Sequence, residues 1–560
     1  MVNTPRKTLS FHVFCRPIVS AWGDRAIPAD MHISEEIDLR IKSKPASSVY
    51  GDGQGASLRC ALLSALLAAL AAYHLLVIYG HGNADAMCEG LVSYTGADWA
   101  LACGRWAIRY MADFSGNLVM PGIWLTLYAL CCGLSAVLIS RLWGIADKMM
   151  LCLVAALLTV NPTVIEQSLL QYMFMAWGLS NLLSILFVYL CCTRERGCSL
   201  YVLAPVCMMV AFGLYQSCVS LMCTAFCMTL IIRLFRGSTL KELWRLVLRF
   251  AAVSLLGTAL YFLILRVETI RWAVEESERV ELFSLKTLLT SLPTTFPQTY
   301  KNYAAYFFEG RLYRRQLYAL LFAAGMLCAA AALAHLVKAG HALEALGAGL
   351  LIVLIPAVTN LADIVFPYNE PVVIMQYQSM LLFPFLLALP FPPALKGRHV
   401  ETPARGVMLI LSGCILWGYL VSANATYRVY ELSYRHMNFV TSSIMNDVYD
   451  LPDYSTDEVI AFAGFPDDRL LRAAVPAYKL AYGQYENFAF WDGLMGLQYG
   501  RRNYLLHYFG IDGGHIYGHL YNDAIASTAF REMPIWPEQG SVQRINGLII
   551  VKLAQNPPHF

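Results

Sequence analysis

Residues 58–79 read LRCALLSALLAALAAYHLLVIY. Between Arg59 and His74 only Ser64 and Tyr73 carry a side-chain oxygen. An α-helix of about 20 such residues crosses the hydrocarbon core of a bilayer. Further apolar stretches follow at 117–140, 149–163, 172–193, 199–214, 217–235, 247–266, 316–337, 343–363, 372–391 and 406–423. The third and fifth are short or merge with their neighbours. The pattern predicts an α-helical polytopic membrane protein with about eleven transmembrane helices. Composition agrees. Of 560 residues 58% are hydrophobic and 14% charged, against about 25% charged in soluble domains, and mean hydropathy is +0.52. This argues against a disordered chain and an ordinary soluble enzyme. A net charge of +3 without a basic run points away from nucleic acid as a partner.

Basic residues orient the spans. Arg40, Lys42, Lys44 and Arg59 precede the first; Arg141 and Lys148 follow the second; Arg194 and Arg196 follow the fourth. Arg233, Arg236, Lys241, Arg245 and Arg249 surround the turn from the sixth to the seventh, and Lys338, Lys396, Arg398 and Arg405 mark later turns. With eleven spans, all fall on the cytoplasmic side. The N-terminus is then cytoplasmic and the C-terminus extracytoplasmic. Three regions follow: a polar, flexible cytoplasmic segment 1–57, a transmembrane domain 58–423, and an extracytoplasmic domain 424–560. The first region has no apolar run, so no cleavable signal peptide is expected, and Met31 is an alternative start.

The large loops, 80–116, 267–315 and 364–371, fall on the outer side with the tail. The tail has strand-like runs at Glu458–Ala463 and Leu548–Leu553, with turn signals Asp512-Gly513-Gly514 and Asn546-Gly547. A small α/β domain is expected there. Most of the sixteen cysteines lie in apolar runs, as small hydrophobes. Cys88 and Cys103 share a polar loop and would suit a disulfide in an oxidising compartment.

The first outer loop holds Asn83-Ala84-Asp85, Glu89, Asp98-Trp99 and Gly104-Arg105-Trp106. A carboxylate at the membrane surface can take the proton of an attacking hydroxyl, and an arginine can grip a phosphate with two parallel bonds. Asp85, Glu89 and Asp98 are the candidate catalytic acids and Arg105 the candidate phosphate ligand; a merely solvated loop would look the same. Residues 100–113, with Trp99, Trp106 and Tyr110, read as an amphipathic helix in the interface or an aromatic belt. Asn161-Pro162 ends or bends a helix. Glu166, near membrane depth, should face a cavity or a partner, and Tyr172 follows it. Tyr215 and Gln216, in a tight turn, suit either a sugar or turn capping. Arg266, Arg271 and Arg279 among Glu268, Glu275, Glu276, Glu278 and Glu281 suggest a solvated helix. Arg311 and Arg314 lie against the positive-inside trend, which fits a lipid phosphate or a plain basic loop. No P-loop, dinucleotide fingerprint, HExxH or GxSxG is present. Any activated substrate is therefore lipid-borne or already outside. A transporter or flippase of a lipid-linked glycan is the alternative, although such a protein needs ionisable groups at mid-span.

Taken in order, Asn83-Ala84-Asp85, Gly104-Arg105-Trp106, Asn161-Pro162, Leu214-Tyr215-Gln216 and the ending Met533-Pro534…Gly540-Ser541…Val551-Lys552-Leu553 resemble the GtrII-like glucosyltransferases, membrane enzymes that modify O-antigen and related lipopolysaccharide glycans. The chain departs from the pattern at Ala86, where a second acid is common, and at Met173-Phe174-Met175, where an acid often follows the tyrosine. The resemblance implies a GT-C-like fold in the bacterial inner membrane. It implies a hexosyl, expected to be glucosyl, transfer from a polyprenyl phosphate donor to a polysaccharide or lipid-linked acceptor. Asp85 would be the general base, Arg105 would contact the donor phosphate, and no metal or other cofactor is required. Partner membrane proteins would make and flip the donor.

Overall fold

The computed structural model describes residues 53–82, 86, 94, 96–275, 277, 285–308, 315–365, 373–389, 401–464 and 500–559. Asp85, Cys88, Glu89, Arg311 and Arg314 lie outside the described residues, as does the first segment up to residue 52.

The chain is a helical membrane bundle with a small C-terminal sheet. Among the described residues eight helices are long and apolar enough to cross a bilayer, and a ninth span is bent. The long ones are α1 (Gly53–Tyr79), α4 (Pro121–Trp143), α7 (Phe174–Thr193), α9 (Cys218–Phe235), α10 (Leu240–Trp272), α12 (Arg315–Lys338), α13 (Ala342–Thr359) and α16 (Glu401–Tyr449). Two short loop helices, α2 (Ala97–Ala102) and α3 (Trp106–Phe114), precede α4. The bent span joins α5 (Lys148–Thr159) to α6 (Pro162–Ser168) at 45°. The fifth and tenth apolar stretches are shorter helices, ending in α8 (Ala204–Leu214) and α15 (Leu382–Ala388). Between α10 and α12 runs α11 (Leu285–Phe308), and α14 (Leu361–Val365) follows α13.

Small residues let the first helices meet. Ala61, Ala65, Ala69 and Ala72 form a buried stripe on α1, and a Cβ at Gly133 of α4 would lie 3.1 Å from the Leu62 backbone. Close approach of this kind replaces the hydrophobic driving force that lipid cannot supply.

The bend has a local cause. Pro162 has no N–H to give the Leu158 carbonyl. That carbonyl instead accepts from Asn161 Nδ2 at 3.2 Å and from the Tyr377 hydroxyl at 3.1 Å. The Thr159 carbonyl accepts from Tyr73 at 2.8 Å, and Asn161 Oδ1 caps α6 through the Val164 N–H at 3.1 Å. Asn161-Pro162 is thus structural, and the freed carbonyls are satisfied by Asn161 itself and by tyrosines from two other segments.

One end of the bundle is fastened by arginines. Arg233 donates to the Cys192 carbonyl at 2.5 Å, Arg249 to that of Arg194 at 2.6 Å, and Arg236 to that of Trp143. These acceptors are the open carbonyls at the C-terminal ends of α7 and α4, where a cation also meets the negative end of the helix dipole. The loops gather at the other end.

Helix α16 crosses residue 424 without a break. Its 49 residues extend about 73 Å, more than twice the roughly 30 Å hydrocarbon core. Its second half therefore leaves the membrane. It meets the sheet through Trp536, whose indole donates to Asp447 at 3.1 Å. The sheet has the order β1-β3-β2, with β1 (Val459–Ala463) parallel to β3 (Leu548–Lys552) and β2 (Val542–Ile545) antiparallel to it. Asn546 and Gly547 both take positive φ in the tight β2–β3 turn. Helices α17 (Arg501–Phe509), α18 (Gly518–Ala526) and α19 (Thr528–Glu532) complete the domain.

Candidate functional site

The sequence from Ala97 to Phe114 does not form one interfacial helix. It breaks at Cys103-Gly104-Arg105 into α2 and α3. Gly104 adopts φ +80°, and a Cβ there would lie 2.6 Å from the Tyr261 hydroxyl and 2.7 Å from Gln216 Nε2. The break is held from outside. Gln216 Nε2 donates to the Cys103 carbonyl at 2.7 Å and to the Tyr261 hydroxyl at 3.2 Å, and that hydroxyl donates to the Gly104 carbonyl at 3.0 Å. The motifs Gly104-Arg105-Trp106 and Leu214-Tyr215-Gln216 are therefore one physical unit. Gln216 spends its amide on this turn.

The unit aims Arg105 over the Tyr215 ring, with Cζ 5.0 Å from the centroid. Arg105 is half-buried, its Nε is enclosed, and it makes no hydrogen bond or ion pair among the described residues. Arg109, one turn further, pairs with Asp98 and lies 4.0 Å over the Trp272 ring. Tyr215 is buried, and Trp177 of α7 packs edge-on to it at 5.7 Å. Burial raises the Tyr215 phenol above its ordinary range, and the nearby Arg105 cation draws it back. Among the described residues the indole N–H groups of Trp106 and Trp177 and the Tyr215 hydroxyl have no well-formed hydrogen bond. Trp106 is buried against Gly213, not placed as a belt residue, whereas Trp99 and Tyr110 keep broad exposed faces.

Two expectations are corrected here. Cys103 is a free, buried thiol that receives the Ser277 hydroxyl at 3.9 Å, so it is not in a disulfide. Its turn faces α10 and the following strand of chain. Glu268 is not a solvated helix charge: it is buried, accepts from Tyr110 at 2.6 Å and from the Trp272 indole at 3.0 Å, and has Arg271 at 3.8 Å. Charge alternation along α10 hides this, because the partners come from α3 and from the next turn.

The remaining candidates are dispersed along the same end. Asp98 is exposed on α2 and paired with Arg109. Tyr172 stacks on Tyr94 at 4.8 Å, and both line a recess with Ile108, Met111 and Trp124. Glu166, half-buried between the buried Ile165 and Gln167, has no hydrogen bond or ion pair among the described residues. Asp363 accepts from Asn302 at 2.8 Å, and Glu431 is flanked by Arg428 and Arg435.

Where α1 leaves the bundle, the chain is tied to α16. His81 stacks on Tyr434 at 4.1 Å, its carbonyl accepts from Gln171 at 3.1 Å, and the Tyr434 hydroxyl donates to the Gly82 carbonyl at 2.8 Å. Burial, and then the Arg435 cation, lower the His81 imidazole to about 4, so it is neutral near pH 7. Trp177 and Tyr261 carry no sequence signal, because single aromatic residues inside spans look like lipid-facing ones, and Glu268 reads along the chain as one charge among several on a helix.

A family model described as glucosyl transferase GtrII matches residues 88–389, more than half of the chain. The chain belongs to this GtrII family. The matched interval takes in Glu89, Asp98, Gly104-Arg105-Trp106, Asn161-Pro162 and Leu214-Tyr215-Gln216, and leaves out Asn83-Ala84-Asp85 and the C-terminal sheet. Neither a curated protein nor a solved structure matches. As a GtrII protein the chain is a multi-pass membrane glucosyltransferase acting between a sugar donor and a glycan acceptor.

The ending Met533…Leu553 is structural in this GtrII chain. The buried Lys552 amine donates to the carbonyls of Phe530, Arg531 and Met533 at 2.9, 3.2 and 2.7 Å and so caps α19. Buried Arg501 organises the Asp512-Gly513-Gly514 turn, donating to the Gly513 and Gly514 carbonyls at 2.7 and 2.8 Å.

Proposed function

We propose that this GtrII protein transfers glucose from a polyprenyl monophosphate to a surface polysaccharide such as O-antigen, on the extracytoplasmic face of the bacterial inner membrane. The observation that carries the reading is Arg105, a half-buried cation over Tyr215 with no counter-charge among the described residues. A guanidinium left unpaired in partly apolar surroundings is costly unless an anion answers it. A lipid-borne phosphate at the bundle's loop-rich end supplies that anion.

The reaction is a single displacement. The acceptor hydroxyl attacks the anomeric carbon, and a carboxylate of the first loop takes its proton. Asp85 is the first candidate, with Glu89 and Asp98 beside it. The bond from the anomeric carbon to the phosphate oxygen breaks with its electron pair, and polyprenyl phosphate leaves. The configuration inverts. Arg105 stabilises the growing charge on the departing phosphate, a role that needs preorganised donors more than a cofactor. Tyr172, Tyr215 and Glu166 are assigned to substrate contacts, Gln216 to holding the turn, and Arg311 and Arg314 to the lipid phosphate.

The test is transfer of labelled glucose from polyprenyl-phosphate-glucose to polysaccharide in membranes. Asp85→Asn or Glu89→Gln should lower turnover about 10²- to 10⁴-fold with expression unchanged, and Arg105→Ala should weaken donor use. Wild-type protein made at good levels and inert toward every polyprenyl-linked hexose would overturn the reading.

A further inference from the structure

Helix α10 touches the broken first-loop segment at Gly104, Arg109 and Tyr110. Tyr261 holds the Gly104 carbonyl at 3.0 Å, and Glu268 accepts from Tyr110 at 2.6 Å. These residues are seven apart, so they lie on one helix face. Leu265, between them, lies 3.7 Å from the Cβ position of Gly104. On the loop side, Gly104 immediately precedes Arg105, and Tyr110 sits near the middle of α3, so the two contacts flank the arginine in sequence. All three α10 side chains are buried, although α10 is otherwise among the most lipid-exposed spans. An exposed helix that buries a tyrosine and a carboxylate on one stripe, one bonded to the turn before the short loop helix and the other to the helix itself, has a task there.

We propose that Tyr261 and Glu268 form a two-point clamp by which α10 positions Arg105 for the donor phosphate, making Tyr261 a positioning residue of the transfer reaction. The clamp rests on the reading of Arg105 as the phosphate ligand. The Tyr261 hydroxyl fixes the carbonyl one residue before Arg105, and Gln216 fixes the one before that. Movement of the Arg105 backbone away from the Tyr215 ring requires those bonds to break. Glu268 sets the tilt of α3 through Tyr110.

The experiment measures binding of polyprenyl monophosphate to the full-length protein in detergent, read by the fluorescence of the neighbouring tryptophans. Tyr261→Phe removes one oxygen and keeps the ring; it should raise Kd about tenfold, the typical worth of one well-placed bond. Glu268→Gln, isosteric, should raise it less, and serves in its place where Tyr261→Phe does not fold. A residue acting through Arg105 should show full coupling to it: Tyr261→Phe combined with Arg105→Ala should bind no more weakly than Arg105→Ala alone. Additive losses, or wild-type affinity in both clamp variants while Arg105→Ala is impaired, overturn the clamp and leave the donor reading standing. Wild-type affinity in Arg105→Ala overturns both.

Discussion

The guanidinium carbon of Arg105 lies 5.0 Å from the centre of the Tyr215 ring, and no carboxylate among the described residues answers it. Four residues on, Arg109 has both a carboxylate and an indole face. Two arginines of one loop thus differ: among the described residues one has a carboxylate partner and the other has none. The following predictions test that contrast and the scaffold behind it.

Gly104→Ala should damage the site from the backbone. The residue holds φ +80°, and its new methyl would press on the Tyr261 hydroxyl and Gln216 amide. A left-handed non-glycine conformation costs about 1–2 kcal/mol, and the turn before Arg105 must shift besides. Glucosyl transfer should fall about tenfold or more while the fold survives. Transfer at the wild-type rate would contradict this account of the turn.

Glu166→Gln should stabilise the protein and impair it. A half-buried carboxylate with no donor among the described residues is a cost to the fold, which an isosteric amide relieves. Thermal unfolding in detergent at neutral pH should shift upward by a few degrees, with transfer reduced. A lower melting temperature would show that Glu166 has a structural partner instead.

Lys552→Met should loosen the C-terminal domain. It leaves the carbonyls of Phe530, Arg531 and Met533 without their donor, at a cost of about 1–3 kcal/mol. Limited proteolysis should cut the variant's C-terminal region sooner. Equal resistance would mean that water replaces the amine at no cost.

The link from Glu458 to Arg544 should give the C-terminal domain an acid limit. Arg544 donates to both carboxylate oxygens, at 2.5 and 2.9 Å, and with the Ser455 N–H it holds Glu458 down to about 2 from an ordinary 4.5. A carboxyl with a depressed folded pKa contributes stability above its unfolded value, and loses it as pH falls toward the folded one. The melting difference between wild type and Glu458→Gln should be full above about pH 5 and vanish toward pH 2. The pair is solvent-exposed, so the effect is modest. A difference that does not change with pH would exclude the ion pair as its source.

Much of the fold is legible along the chain. Among the described residues each of the eleven apolar stretches is mainly helical, since periodic apolar content is a local property and a bilayer leaves the backbone no other way to bond internally. The bend at Asn161-Pro162 and the hairpin at Asn546-Gly547 follow from single-residue backbone chemistry. The site is legible only in part. Arg105, Tyr215 and Gln216 stand out as polar groups at turns, but Tyr261 and Glu268 do not. Their task comes from groups 157 and 158 positions away. The burial of Trp106 and Cys103 is illegible for the same reason, because a loop's own sequence does not say which of its faces another helix covers.

The sequence by itself determined that this chain spans a membrane many times, that its polar chemistry gathers in the loops, and that it carries the marks of the GtrII family. Hydropathy, backbone restriction and motif order are written one residue after another. Only the tertiary structure decided that Arg109 pairs with Asp98 while Arg105 has no such partner among the described residues, that Glu268 is buried, and that Gln216 holds a turn. Those outcomes depend on which side chain arrives opposite which, and in a helical bundle that is set by packing between segments far apart in the chain.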